Sequence, residues 1–203
     1  DALVELLDLE ELEENLFRGR SPQEQRQRVF GGQVAGQALV AATRTVERGL
    51  VHSLHAYFLR PGDPRIPIVF QVDRIRDGKS FTTRRVVAIQ RGEAIFHLSA
   101  SFQPEEAGLE HQDPMPAAPE PESLPTWQER IAPVRDRIPD EMRNWIERDR
   151  PIDLRYDGEI AIFHADPRPP RQQVWMRADG KLPDDPALHQ CVVAYASDMT
   201  LVD

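Results

Sequence analysis

The chain has 203 residues, 40% of them hydrophobic, which is enough for a proper core in one or two domains. A formal net charge of −9 argues against nucleic acid or an anionic membrane as the main partner, so an anionic ligand would need a local group of arginines. Cys191 is the only cysteine, no apolar run approaches the roughly 18 residues of a membrane span, and the acidic amino terminus does not read as a signal peptide. No internal disulfide framework is possible, membrane insertion is not expected, and a reducing, cytoplasmic setting is the expectation.

Residues 3–18 carry a leucine-rich acidic pattern (Leu6, Leu7, Leu9, Leu12, Leu16, Phe17) that predicts a short helix and then a strand ending at Arg18-Gly19. The run from Phe30-Gly31-Gly32-Gln33 into Ala41-Ala42 predicts a helix from about Gly32 to Val46. Val34, Ala35, Ala38, Ala41, Ala42 and Thr45 share one face of it. That face is too narrow for packing on other helices and suits a sheet wrapped closely around it. Glycines at the start leave backbone N–H groups open at the positive end of the helix dipole, a place to hold negative charge. Neither Gly-x-Gly-x-x-Gly nor a Lys-Ser/Thr after Gly36 is present, so the dinucleotide fingerprint and the P-loop are excluded. The plain alternative is that the glycines only permit a tight turn and close packing.

Strand-like runs follow at 51–60, 66–75, 81–90 and 94–102, with turns at Pro61-Gly62-Asp63, Asp77-Gly78 and Arg91-Gly92. In the first, strict alternation sets His52 and His55 on opposite faces. One helix of small residues followed by an antiparallel meander is an α+β pattern in which the sheet curls around the helix, the hotdog architecture. Six prolines and five glutamates between Pro104 and Pro125 mark a linker. The second half has a helical stretch broken at Pro133 and Pro139, strands at Ile152–Tyr156 and Gln173–Arg177, and a helix over 187–199.

The last helix echoes the first: Gln190-Cys191-Val192-Val193-Ala194-Tyr195 repeats the order of Gln37-Ala38-Leu39-Val40-Ala41-Ala42. Two hotdog units in tandem are expected, divided as 1–103, a linker at 104–126, and 127–203. No meander follows the second helix, so that unit is expected to be incomplete in this chain, stopping after its central helix.

Leu16-Phe17-Arg18-Gly19, Val29-Phe30-Gly31-Gly32-Gln33-Val34-Ala35-Gly36-Gln37-Ala38, Val51-His52-Ser53-Leu54-His55-Ala56-Tyr57-Phe58-Leu59-Arg60-Pro61-Gly62-Asp63 and Arg76-Asp77-Gly78-Lys79-Ser80-Phe81 resemble the acyl-CoA thioesterase II family (TesB-like). So do Ser99-Ala100-Ser101-Phe102-Gln103, Arg171-Gln172-Gln173-Val174-Trp175-Met176-Arg177 and Tyr195-Ala196-Ser197-Asp198. The resemblance implies a tandem double hotdog that hydrolyses acyl-CoA to free acid and CoA. It implies a catalytic Asp at the end of the second central helix, matched by Asp198, with a hydroxyl residue and a glutamine at positions expected beyond Asp203.

Thioester hydrolysis needs an activated water, an oxyanion site and a groove for a long anionic substrate. A partly desolvated carboxylate can take the water's proton, and Asp198 stands at a helix end, where the dipole disfavours it. The plain alternative is that Ser197 or Asp198 caps the next element. Backbone N–H groups of Gly31, Gly32 and Gln33 are the candidate oxyanion and substrate contacts. His52 is a candidate substrate-proximal residue, and Arg60, Arg74, Arg76, Lys79, Arg84 and Arg85 are the cations available to the CoA phosphates. Cys191 reads as core, since no serine or cysteine stands in a nucleophile context.

No metal and no cofactor beyond the substrate's own CoA is expected, and a homo-oligomer, dimer or tetramer, is. Two rivals stand beside hydrolysis. One is an acyl-CoA-binding, non-catalytic fragment. The other is a hotdog enoyl-CoA hydratase, for which Asp184 and His189 have the five-residue spacing, although Pro186 comes one position early and Cys191 replaces an expected Asp.

Overall fold

The computed structural model describes residues 2–22, 28–138, 143, 146–147, 150–159 and 171–200. They form two compact units, Asp1–Gly108 with Leu182–Leu201, and Leu109–Lys181 with Val202–Asp203. The first unit contains α1 (Ala2–Leu7), β1 (Glu10–Glu13), β2 (Leu16–Gly19), α2 (Gly31–Thr43), β3 (Leu50–Phe58), β4 (Ile68–Asp77), β5 (Thr82–Gln90) and β6 (Glu93–Gln103). The second contains α3 (Trp127–Ile131), β7 (Ile152–Asp157) and β8 (Gln173–Ala178), after which the chain returns to the first unit as α4 (Pro186–Ala196).

Alternation in the strands decides which face of the first unit is dry. Ile68, Phe70 and Val72 of β4, Val86 and Ala88 of β5, and Phe96, Leu98, Ala100 and Phe102 of β6 are buried, and α2 packs against this inner face. The strands are antiparallel, ordered β1-β2-β4-β5-β6-β3. Arg91 (φ 51) and Gly92 (φ 79) both take positive φ at the tight β5–β6 turn, as a two-residue hairpin whose twist matches the strands requires. This is the α+β hotdog arrangement.

The two sheet edges differ. Edge strand β1 is four residues long, three of them glutamates, and all are exposed, which blunts it against further pairing. The other edge, β3, is met at one point by a side chain from α4. The Gln190 amide accepts from the Val51 N–H (3.1 Å) and donates to the Val51 carbonyl (2.8 Å), occupying both backbone groups as a neighbouring strand would.

Besides the sheet, α2 meets a second helix, on the side that carries Gly32 and Gly36 and not on the small-residue face of Val34, Ala38 and Ala41. Gly32 and Gly36, one turn apart on α2, face the Tyr195 and Cys191 carbonyls of α4. A Cβ on Gly32 would come within 2.2 Å of the Tyr195 oxygen, and one on Gly36 within 3.3 Å of the Cys191 oxygen. Removing two side chains from the crossing lets the helix backbones approach, while Ala38, Ala41 and Ala42 are buried in the core.

Arg84 is 1% exposed and lies inside this core. Its Nε donates to Thr45 Oγ1 (2.8 Å), one terminal nitrogen donates to the Thr45 carbonyl (2.9 Å) and to Asp77, and the other donates to the carbonyls of Arg76 and Thr83 (both 3.1 Å). The sequence made Arg84 a candidate for CoA phosphates. The structure instead uses it to tie the segment just past α2 to the β4–β5 hairpin. Arg84→Leu leaves these acceptors without their buried donor, so a loss of about 3 kcal/mol in denaturant unfolding is expected. A loss below about 1 kcal/mol, the scale of an exposed ion pair, would contradict this role.

A β-bulge between Val51 and Ser53 resets β3 against β6. His52 then meets Ser101 (Nε2 to Oγ, 2.9 Å) and the Phe81 ring, while His55 lies opposite Ser99 and against Tyr57. Ser99 and Ser101 belong to the sheet face opposite α2, so both histidines share that outer face. Strict alternation had separated them, and the one extra residue is the reason it fails.

In the second unit β7 and β8 form an antiparallel hairpin from Ile152↔Ala178 to Asp157↔Gln173. Trp127, capped into α3 by a Thr126–Glu129 capping box, is buried against Tyr156 and donates to the Ile146 carbonyl. Residues 104–120 form no helix or strand, yet the later prolines are held: Trp175 Nε1 donates to the Pro119 carbonyl, and Arg155 to those of Pro121 and Leu124. The break expected at Pro139 lies outside the described residues.

Candidate active site

Phe30, in extended backbone at the N-cap of α2, gives the helix no side-chain acceptor. The missing acceptor comes from the other helix. α4 ends at Ala196, and two residues on the Asp198 carboxylate accepts the Gly32 N–H at 2.9 Å. The negative charge that the glycines were expected to hold is therefore this carboxylate, at the positive end of the α2 dipole. Gly31 has no side chain for a reason visible here: a Cβ would lie 2.6 Å from Asp198 Oδ2 and 2.8 Å from the Phe58 ring.

Gly31, Phe58 and Asp198 line an open groove of about 360 Å³. Its other walls include Arg28, Val34, Arg60, Ile95 and Phe96. Leu59 and Arg60 are fixed by backbone bonds to the Ile95 carbonyl, and the Arg60 guanidinium donates to the Ala94 carbonyl at 2.8 Å. Apolar surface, the Asp198 carboxylate and two arginines thus line one concavity, Arg60 with its guanidinium also 3.8 Å from Glu93.

Asp198 remains in contact with water as a whole, but its neighbours withdraw the carboxylate enough that desolvation raises its pKa above the ordinary aspartate range. The Gly32 hydrogen bond opposes that rise. Among the described residues no cluster of His, Cys, Asp and Glu is arranged to hold a metal ion.

Of the residues singled out from sequence, the structure brings Gly31, Gly32, Arg60 and Asp198 together. Gln33 starts the same helix turn, but its side chain is 3% exposed and donates to the Arg20 carbonyl and Ser21 Oγ, away from the groove. The Gly32 N–H, read as an oxyanion donor, is engaged by Asp198. His52 is not at the groove, because the bulge turns it to the outer face. Arg74 and Arg85 are taken by Glu14 with Asn15 and by Asp73 respectively. Phe58 and Arg28 were missed. Alternation left open which face of β3 looks toward α2, and the position of the α2 start beside that strand end cannot be read from sequence; the Phe58↔Phe96 pairing settles the face.

The hydratase spacing also dissolves. His189 turns its Nε2 back to the Pro183 carbonyl (2.8 Å), Asp185 caps α4, and neither Asp184 nor His189 lines the groove. Cys191 is 1% exposed in the helix crossing, and burial pushes its thiol up to about 12, against a hydrogen bond with Thr43. The folded protein is expected to leave Cys191 unmodified by a thiol reagent at pH 8 for as long as α4 stays docked, with reaction on adding denaturant. Stoichiometric modification within seconds in native buffer would contradict the docking.

Comparison with known proteins gives the family. The family profile described as acyl-CoA thioesterase N-terminal domain matches residues 20–103, and that described as acyl-CoA thioesterase matches 150–203. Acyl-CoA thioesterase 2 of Haemophilus influenzae is 38% identical over 197 residues, covering 97% of this chain and 69% of that protein. The chain belongs to the acyl-CoA thioesterase family.

Acyl-coenzyme A thioesterase 8 of Homo sapiens is 41% identical over 202 residues, 95% of this chain. Among solved structures, the acyl-CoA thioesterase II TesB2 of Mycobacterium marinum is 46% identical, with a TM-score of 0.73 over 98% of this chain. This thioesterase-family chain spans 63% of the length of the human relative and 68% of the Mycobacterium marinum chain. No helix of the described residues is long and apolar enough to cross a membrane.

Proposed function

We propose that the chain carries the acyl-CoA site of a thioester hydrolase and that Asp198 is its catalytic carboxylate. The observation that supports this reading best is the Asp198 carboxylate, fastened to the Gly32 N–H and partly desolvated on the wall of a groove that also offers apolar surface and two arginines. In the proposed step a water oxygen attacks the thioester carbonyl carbon as its proton passes to Asp198. The tetrahedral intermediate then collapses, the C–S bond breaks, and the departing thiolate takes up a proton to leave free CoA and the carboxylic acid. Arg28 and Arg60 attract the CoA phosphates, and no metal or cofactor is required. A cytoplasmic setting, assembly as a dimer or tetramer, and pairing of this hotdog with a second one belong to the same proposal.

Thiol release from palmitoyl-CoA and from a shorter acyl-CoA, measured for the chain and for Asp198→Asn, tests it. Release by the wild type that is lost in the variant is expected. Full activity in Asp198→Asn removes Asp198 from the chemistry. Acyl-CoA binding without any release supports the non-catalytic reading.

A further inference from the structure

We propose that Phe58 is the residue that recognises the acyl group, holding the carbons next to the thioester against its ring while Asp198 addresses the carbonyl. This rests on the acyl-CoA reading of the groove. Phe58 ends β3 on the face that looks toward α2, since it pairs with Phe96, and the two rings stand 5.0 Å apart between centroids. Phe96 is buried at 1% exposure, whereas Phe58 is 59% exposed. One aromatic is thus fixed by the core and holds the second at its edge, where the second is exposed and lines the groove.

The ring's position relative to the carboxylate is set by the empty space at Gly31. The Phe58 edge and Asp198 Oδ2 lie 2.8 Å and 2.6 Å from the point where a Cβ on Gly31 would stand. A thioester carbonyl within reach of a water bound to Asp198 therefore has its first acyl carbons over the ring. Val34 and Ile95 continue the apolar wall, and Arg28 and Arg60 supply the cationic part of the lining. An open aromatic face beside a carboxylate gives an apolar chain a surface to cover, and each methylene removed from water adds to binding.

A control is built into the same strand. Leu54 lies on the same face of β3, opposite Ala100, and is 42% exposed, but it does not line the groove. Exposure alone would make Leu54 and Phe58 equivalent, and the groove separates them.

The experiment compares wild type, Phe58→Ala, Phe58→Leu and Leu54→Ala by titration with a non-hydrolysable thioether analogue of palmitoyl-CoA and with CoA alone. Thiol release from palmitoyl-CoA is measured in parallel. Phe58→Ala is expected to weaken the analogue about tenfold with CoA unchanged, Phe58→Leu to lose less, and Leu54→Ala to bind as wild type. Unchanged analogue affinity in Phe58→Ala overturns the proposal, as does an equal loss for CoA or an equal loss in Leu54→Ala. If the analogue shows the expected Phe58 dependence while the wild type releases no thiol, acyl recognition by Phe58 stands and the hydrolytic reading falls. A wild type that binds neither ligand overturns both.

Discussion

Gly32→Ala is expected to lose both stability and activity, against the ordinary effect of that substitution. Inside a helix, replacing glycine by alanine gains up to about 1 kcal/mol because the unfolded chain has less freedom to lose. Here the new methyl would stand 2.2 Å from the Tyr195 carbonyl oxygen and 2.5 Å from the Phe30 ring. The oxygen is backbone inside α4, so no side chain can swing aside and the helices must part. Overpacking of this kind costs about 1–3 kcal/mol, and a net loss of about 2 kcal/mol by denaturant unfolding is expected. The same separation lifts Asp198 from the Gly32 N–H. Displacing a reacting group by about 1 Å is worth on the order of 100-fold in rate, so thiol release should fall by that factor. A Gly32→Ala protein as stable as wild type would show that the helices do not cross this closely.

Asp198→Asn is the second large effect, and its two halves have opposite signs. With Asp198 as the proposed general base, its loss is expected to lower kcat by about 10²–10⁴-fold. Stability moves the other way. Desolvation raises the carboxyl's pKa in the folded state above its unfolded value, so the folded protein binds the proton more tightly. The stabilisation that follows is fully present below the unfolded pKa and is lost as pH rises through the folded one. The asparagine side chain carries no such ionisation, and its amide oxygen still accepts the Gly32 N–H. At neutral pH the variant should therefore be as stable as wild type or more so, and the advantage should disappear in acid. Unfolding curves at pH 4 and pH 7 check the sign, and a variant less stable than wild type at pH 7 would contradict it. In wild type, activity should rise with pH through a midpoint above the ordinary aspartate range.

Much of the first unit was legible because period-2 burial is a strong signal wherever one sheet face is dry. Ile68, Phe70 and Val72, and Phe96 through Phe102, alternate as expected and are buried as expected. What alternation cannot register is a single inserted residue, and the bulge at Val51–Ser53 was enough to carry His52 to the far face. Composition likewise cannot tell a buried arginine from a solvated one: Arg84 and Arg85 are adjacent, and only the inward-facing one meets the Thr45 carbonyl. Asp198 was recognisable from Tyr195-Ala196-Ser197-Asp198, yet its partner was not, since residues 166 positions apart are joined only by the helix crossing. The glycines were read as a place to hold negative charge, and the Gly32 N–H holds the Asp198 carboxylate of the same chain.

That crossing has a consequence for the order of events during synthesis. The first unit is discontinuous: residues 109–181 lie between its long opening segment and the α4 segment that completes it. As the chain leaves the ribosome, the sheet and α2 emerge well before Asp198, so α2 waits with its first turn uncapped and its glycine notch open to water. Closing so long a loop is the entropically slow part of assembling a fold. The carboxylate on the groove wall is thus also a late cap on α2, and the nascent chain gains both when α4 docks.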